Sequence, residues 1–159
     1  MSQDTSQKLG AVLHECDVHA ARIAHAREVC GTLFPLTPAS YQRLSDDDVA
    51  YVDQLIYRYT KLQDALGSKL FPMIVAHLRE DAASMTVLDK LAHLERAGAI
   101  ESAEHWQELR ELRNQLAHEY EDDAKSVTVY LNELFDTSAE LLSYHAQANR
   151  FVRSRILPA

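Results

Sequence analysis

With 159 residues, 47% of them hydrophobic and 25% charged, the chain suits one domain able to bury roughly 70% of its unfolded surface. Only 4 glycines and 4 prolines accompany a large share of Ala, Leu, Glu and Arg, which favours helices and argues against a strand-rich fold. The formal net charge of -8 excludes an overall basic surface of the kind that holds a nucleic-acid backbone, so any such contact has to be local.

No apolar run approaches the ~18 residues needed to span a bilayer. Residues 1–8 are polar and lack the apolar core of a secretion signal. A cytoplasmic protein without membrane association is expected. Cys16 and Cys30 fall on one predicted helix, about 21 Å apart along its axis, which is too far for a disulfide. They read as small core residues in a reducing compartment.

In chain order, residues 7–33 are predicted as the first helix, with Leu9, Val12, Cys16, Ile23, Cys30 and Leu33 near a helical period. Gly31, Pro35 and Pro38 end it. His14, His19 and His25 lie along it at spacings of five and six, not the i, i+4 pairing that brings two imidazoles to one zinc. Ser45-Asp46-Asp47-Asp48 then reads as a capping serine with acid in the first turn, a simpler account than a magnesium site. Val49, Val52, Leu55, Ile56, Tyr59, Leu62 and Leu66 make a strong second helix, with a kink or stop near Phe71 imposed by Gly67-Ser68 and Pro72. Of the tyrosines on it, Tyr51, Tyr57 and Tyr59, base stacking is one use, and core or dimer contact is the commoner one.

Residues 79–81 are a polar connection. Thr86 opens a third helix over 87–97, with Leu88, Leu91 and Leu94 inward and Gly98 as its stop. Ser102 caps a fourth helix that runs to Tyr120. Residues 121–123 turn the chain into a fifth, carried by Val127, Tyr130, Leu131, Leu134, Phe135, Leu141 and Leu142 to about Arg150. The economical architecture is a single all-α domain over residues 1–159, an up-and-down bundle of four to five helices.

Chemistry concentrates in Arg113-Asn114-Gln115-Leu116-Ala117-His118-Glu119-Tyr120. On a helix, Trp106, Leu109, Leu112 and Leu116 fall on the core side, while Arg110, Asn114 and His118 follow at i, i+4 as a polar stripe. Arg113 and Tyr120, seven apart, stand on the shoulder between the two. A permanent cation, an amide, an imidazole and a phenol within two turns suit work on a phosphate ester. Arg113 presents a planar fork to phosphate oxygens. His118 can act as base or acid near neutrality. Asn114 can orient the imidazole or hold a phosphate oxygen. Five residues separate Arg113 from His118, so the two point about 140° apart around the axis. Cooperation at one phosphate therefore calls for two copies of this helix facing each other, that is, a homodimer. Arg110, Arg150 and Arg153, with Arg155, Arg58 and Lys61, are the candidates for a local basic rim toward RNA. The surplus acid elsewhere suits a basic protein partner.

This R-N-x-x-x-H-x-Y run, late in a small helical chain, resembles the R-x4-H-x-Y signature of the HepT-like toxins of the HEPN superfamily. Tyr57-Arg58-Tyr59-Thr60-Lys61-Leu62 followed by Leu70-Phe71-Pro72 is similar to that family's second helix. The resemblance implies a HEPN-like bundle and a toxin of a HEPN/nucleotidyltransferase toxin–antitoxin pair. Such a toxin is a metal-independent endoribonuclease using Arg113, Asn114 and His118, with no cofactor of its own. It further implies a nucleotidyltransferase antitoxin that uses ATP to attach AMP to Tyr120, filling the phosphate site with a bulky anion.

Two other readings stay open on the residues alone. One is a non-catalytic substrate-binding or regulatory subunit of a nucleotidyltransferase, with the motif helix binding nucleotide. The other is a purely structural helical protein, in which Arg113 pairs with a nearby glutamate, Asn114 and His118 face water, and Tyr120 closes the core.

Overall fold

The computed structural model describes residues 1–118 and 123–157, with the side chains of 116–118 outside that description. Among the described residues the chain is helical and has no strand. Helix α1 (Gln3–Cys30) begins earlier than the apolar period suggests, because Ser2 caps it by accepting from the Thr5 amide at 3.2 Å. A 3-10 turn (Gly31–Leu33) ends it, and the Phe34–Pro35 peptide is cis. Pro38 does not simply break structure. It sits at the start of a short α2 (Pro38–Gln42), behind a Thr37/Ser40 capping box.

Helix α3 (Asp46–Ala65) starts at the Ser45 cap, whose hydroxyl accepts from the Asp48 amide at 3.1 Å. A π-helical turn (Leu66–Leu70) then carries the chain into α4 (Phe71–Leu78). Helix α5 (Val87–Ala97) is capped by Thr86 and stopped by Gly98, whose φ of 85° is left-handed backbone that a side chain would strain. Helix α6 (Ala103–His118) and helix α7 (Ala124–Arg155) complete the order. The last helix outruns the expected end near Arg150 by more than a turn, and Asp123 caps it through the Lys125 amide.

Side-chain pairs set the directions. His25 meets Tyr51, His19 meets Arg58 and Glu15 meets Lys69, so α3 runs antiparallel to α1. Asp17 meets His145, while Arg27 donates to the Phe135 carbonyl and the Ser138 hydroxyl, so α7 also runs antiparallel to α1. His105 meets Tyr144 near the start of α6. Leu112 and Glu133 line one groove farther along it, which makes α6 antiparallel to α7. The four long helices thus alternate in direction around one core that includes Ile23, Leu55, Leu62, Leu94, Trp106, Leu134 and Leu141.

One expectation changes on this frame. Leu88 is not inward: it is 66% exposed, and the side of α5 that meets the core is that of Leu91 and Leu94, with Ala97 at its edge. Tyr59 is fully buried and closed to bases, whereas Tyr57 is exposed with Arg58 and Lys61 over its ring. Tyr51 is half-buried against His25. Both cysteines are buried free thiols, and burial beside Glu15 and Asp17 pushes Cys16 up to about 12. No helix among the described residues is long and apolar enough to cross a membrane.

Candidate functional site

Helix α6 is fixed on its inner side before its outer side can present anything. The Ser102 hydroxyl accepts from the His105 amide at 3.1 Å, and the Ala103 amide donates to the Glu95 carboxylate at 2.8 Å. The Tyr144 hydroxyl donates to the Ser102 carbonyl at 3.0 Å and lies 3.0 Å from His105 Nδ1, tying the helix start to α7. Burial pushes that phenol up to about 12, so it remains a donor at neutral pH. From the other side the Tyr59 hydroxyl donates to the Leu109 carbonyl at 3.1 Å, and its burial also raises its pKa. Trp106, Leu109 and Leu112 are buried between these anchors, as the apolar period requires.

With that face held, Arg110, Arg113 and Asn114 look outward onto a cleft of about 390 Å³. Its opposite wall is the end of α3 and the π-turn, through Gln63, Asp64, Gly67 and Ser68, and α5 closes it with Val87 and Leu91. The π-turn has a local cause. Pro72 has no N–H, so an α-helical ladder would lose a bond there. The wider turn, in which the Phe71 amide reaches the Leu66 carbonyl, carries the chain on as a helix. Gly67 also matters by absence of bulk, since a Cβ there would stand 3.2 Å from Trp106 Cζ2.

Arg113 is locked in a two-bond fork with Asp64: Nε to Oδ1 at 3.2 Å and Nη2 to Oδ2 at 3.1 Å. Its Nη1 stands 3.5 Å from Asn114 Oδ1 and faces the open side. Arg110 is exposed and makes no ion pair or hydrogen bond among the described residues. The charged groups lining the cleft are Asp64, Arg110 and Arg113, two cations against one anion. The cleft is therefore locally positive on a chain of net charge -8. Across α6 lies the opposite field, a groove against α7 lined by Glu108, Glu133 and Glu140, which runs on to Glu111.

The structure brings Arg110, Arg113 and Asn114 together. His118 is the last described residue of α6, with its side chain outside the description, and Tyr120 lies outside the described residues altogether. Arg150 and Arg153 do not line the cleft. They stand near the end of α7, where Arg153 donates to Asp17 at 3.1 Å and bonds Asn149, and Arg150 is exposed. Arg58 donates to His19 Nδ1 at 3.0 Å on the α1 side, so the basic residues expected to form one rim are dispersed. Asp64 and Gln63 were not singled out by the sequence. The one signal available was their place a turn ahead of Gly67-Ser68, where the helix was expected to weaken.

No family model, curated protein or solved structure matches the chain.

Proposed function

We propose that the protein is the toxin of a HEPN/nucleotidyltransferase toxin–antitoxin pair, a metal-independent endoribonuclease that acts as a homodimer on RNA. The observation that supports this most is the oriented Arg113 fork beside Asn114 and an Arg110 without a partner among the described residues, a locally positive cleft on an acidic protein. In this reading Arg113 holds the scissile phosphate and offsets the charge that builds on it. His118 of the partner copy moves the proton of the attacking 2′-hydroxyl or of the leaving oxygen. Asn114 holds a phosphate oxygen or the imidazole. The antitoxin's transfer of AMP to Tyr120 would place a phosphate ester against the same arginines and shut the site.

The fork to Asp64 also favours a second reading. A guanidinium already compensated by a carboxylate binds an anion less strongly than a bare one, which suits a non-catalytic nucleotide-binding subunit of a nucleotidyltransferase. Incubating purified protein with single-stranded RNA in EDTA separates the two. Expected for the nuclease is cleavage that survives EDTA and disappears in His118→Ala and Arg113→Ala. Absence of cleavage by the wild-type protein would leave the binding subunit.

A further inference from the structure

The floor of the cleft holds a group that the phosphate chemistry does not use. Gln63 is 3% exposed, yet its carboxamide makes no hydrogen bond among the described residues. The residue is buried, but its amide atoms are not sealed off, so they reach the cleft, where a donor and an acceptor stand free for water or a ligand. Its Nε2 lies beside Gly67, 3.8 Å from where a Cβ of that residue would stand, on the side where the edge of Trp106 closes the floor. Above it the walls are apolar: Pro72 on the π-turn side, Leu91 and the 57% exposed Val87 on the α5 side. At the mouth stand the cations.

We infer that this floor is a base pocket, in which the Gln63 carboxamide reads the hydrogen-bonding edge of one unstacked nucleobase whose phosphate lies at Arg110 and Arg113. The inference rests on the proposed action of the cleft on RNA and names how one nucleotide of that RNA is selected. A carboxamide offers a donor and an acceptor side by side, the pattern that complements the edge of a single base. The apolar walls accept the base's faces and edges without asking for further hydrogen bonds. A volume of about 390 Å³ falls in the range of pockets that enclose small ligands, and one nucleotide unit is of that size. Trp106 does not serve as a stacking platform, because Phe71 and Tyr144 pack against its ring. Selection therefore falls to the amide, which makes Gln63 a specificity-determining residue.

Trp106 is the chain's single tryptophan and lines the cleft, so its fluorescence reports occupancy directly. The four nucleoside 5′-monophosphates are titrated in EDTA against ribose 5-phosphate, which carries the same phosphate and no base. At least one nucleotide is expected to bind about tenfold more tightly than ribose 5-phosphate, and Gln63→Leu is expected to remove that preference while leaving ribose 5-phosphate unchanged. If no nucleotide binds better than ribose 5-phosphate, or if Gln63→Leu keeps the preference, the base pocket is overturned. Should Gln63→Leu fail to fold, the wild-type comparison still decides, together with the NMR shift of the Gln63 side-chain amide on adding the preferred nucleotide. A base preference in a protein that cuts no RNA would keep the pocket and remove the nuclease. EDTA-resistant cleavage without any base preference would do the reverse.

Discussion

Two donors of the Arg113 guanidinium face Asp64, and the remaining edge faces the cleft. Both partners are partly exposed, so the pair contributes little to stability and much to direction. Asp64→Asn should therefore cost about 1 kcal/mol or less in urea unfolding and, on the proposed nuclease reading, lower the cleavage rate at saturating RNA by about tenfold or more. Equal small losses in both measurements would mean that the pair has no orienting role. His19 gives a second prediction at this scale. Burial, then the adjacent Arg58 cation, lowers its pKa below the usual 6.5. The unfolded chain then binds a proton that the folded one refuses, so this part of the stability is present above the unfolded value and is lost as pH falls through it. Between about pH 7.5 and about pH 5.5 the urea midpoint should fall less in His19→Gln than in the wild type. Arg113 and Asn114 could be picked from the sequence because a single helix carries them next to each other. Asp64 could not, since it lies 49 residues away and is joined to Arg113 only by the packing of α3 beside α6.

At the scale of elements, the caps and the Gly98 stop were readable, and the outcome at Gly67 to Pro72 was not. Ser45, Thr86 and Ser102 each bond an amide three residues on, and that chemistry is written in neighbouring positions. Gly67-Ser68 and Pro72 announced a disturbance. The missing N–H of Pro72 accounts for the widening, but whether the chain continued as a helix past it or stopped was not settled by those residues alone. The outcome forms one wall of the cleft, so the turn should be sensitive to bulk. Gly67→Ala brings a methyl to 3.2 Å from Trp106 Cζ2, and Trp106 is held by Phe71 and Tyr144. The gain in helix preference, about 1 kcal/mol, should be outweighed by the overpacking, giving net destabilisation in thermal melts. A raised melting temperature would show that the indole yields. Gly98→Ala should also destabilise, by about 1 kcal/mol, but through its φ of 85° alone, since nothing stands within 4 Å. Leu88 was misread because periodicity counts positions on a helix and not how much of α5 the bundle covers.

Over the whole molecule, charge is sorted by helix α6. One flank lines the positive cleft, and the other lines a groove of glutamates against α7. An acidic total with a small positive site limits unspecific attachment to nucleic acid. The alternating bundle was readable in outline from helical periods and turn residues. The proposed pairing of copies rests only on the spacing of Arg113 and His118. That spacing gives the most direct test. Arg113→Ala and His118→Ala proteins are prepared separately, mixed in equal amounts under conditions that exchange subunits, and assayed on single-stranded RNA in EDTA. If each phosphodiester takes its guanidinium from one copy and its imidazole from the other, two inactive proteins should regain cleavage on mixing, at about a quarter of the wild-type rate for statistical exchange. A mixture as inactive as its parts, beside a wild-type protein that cuts, would contradict the shared site.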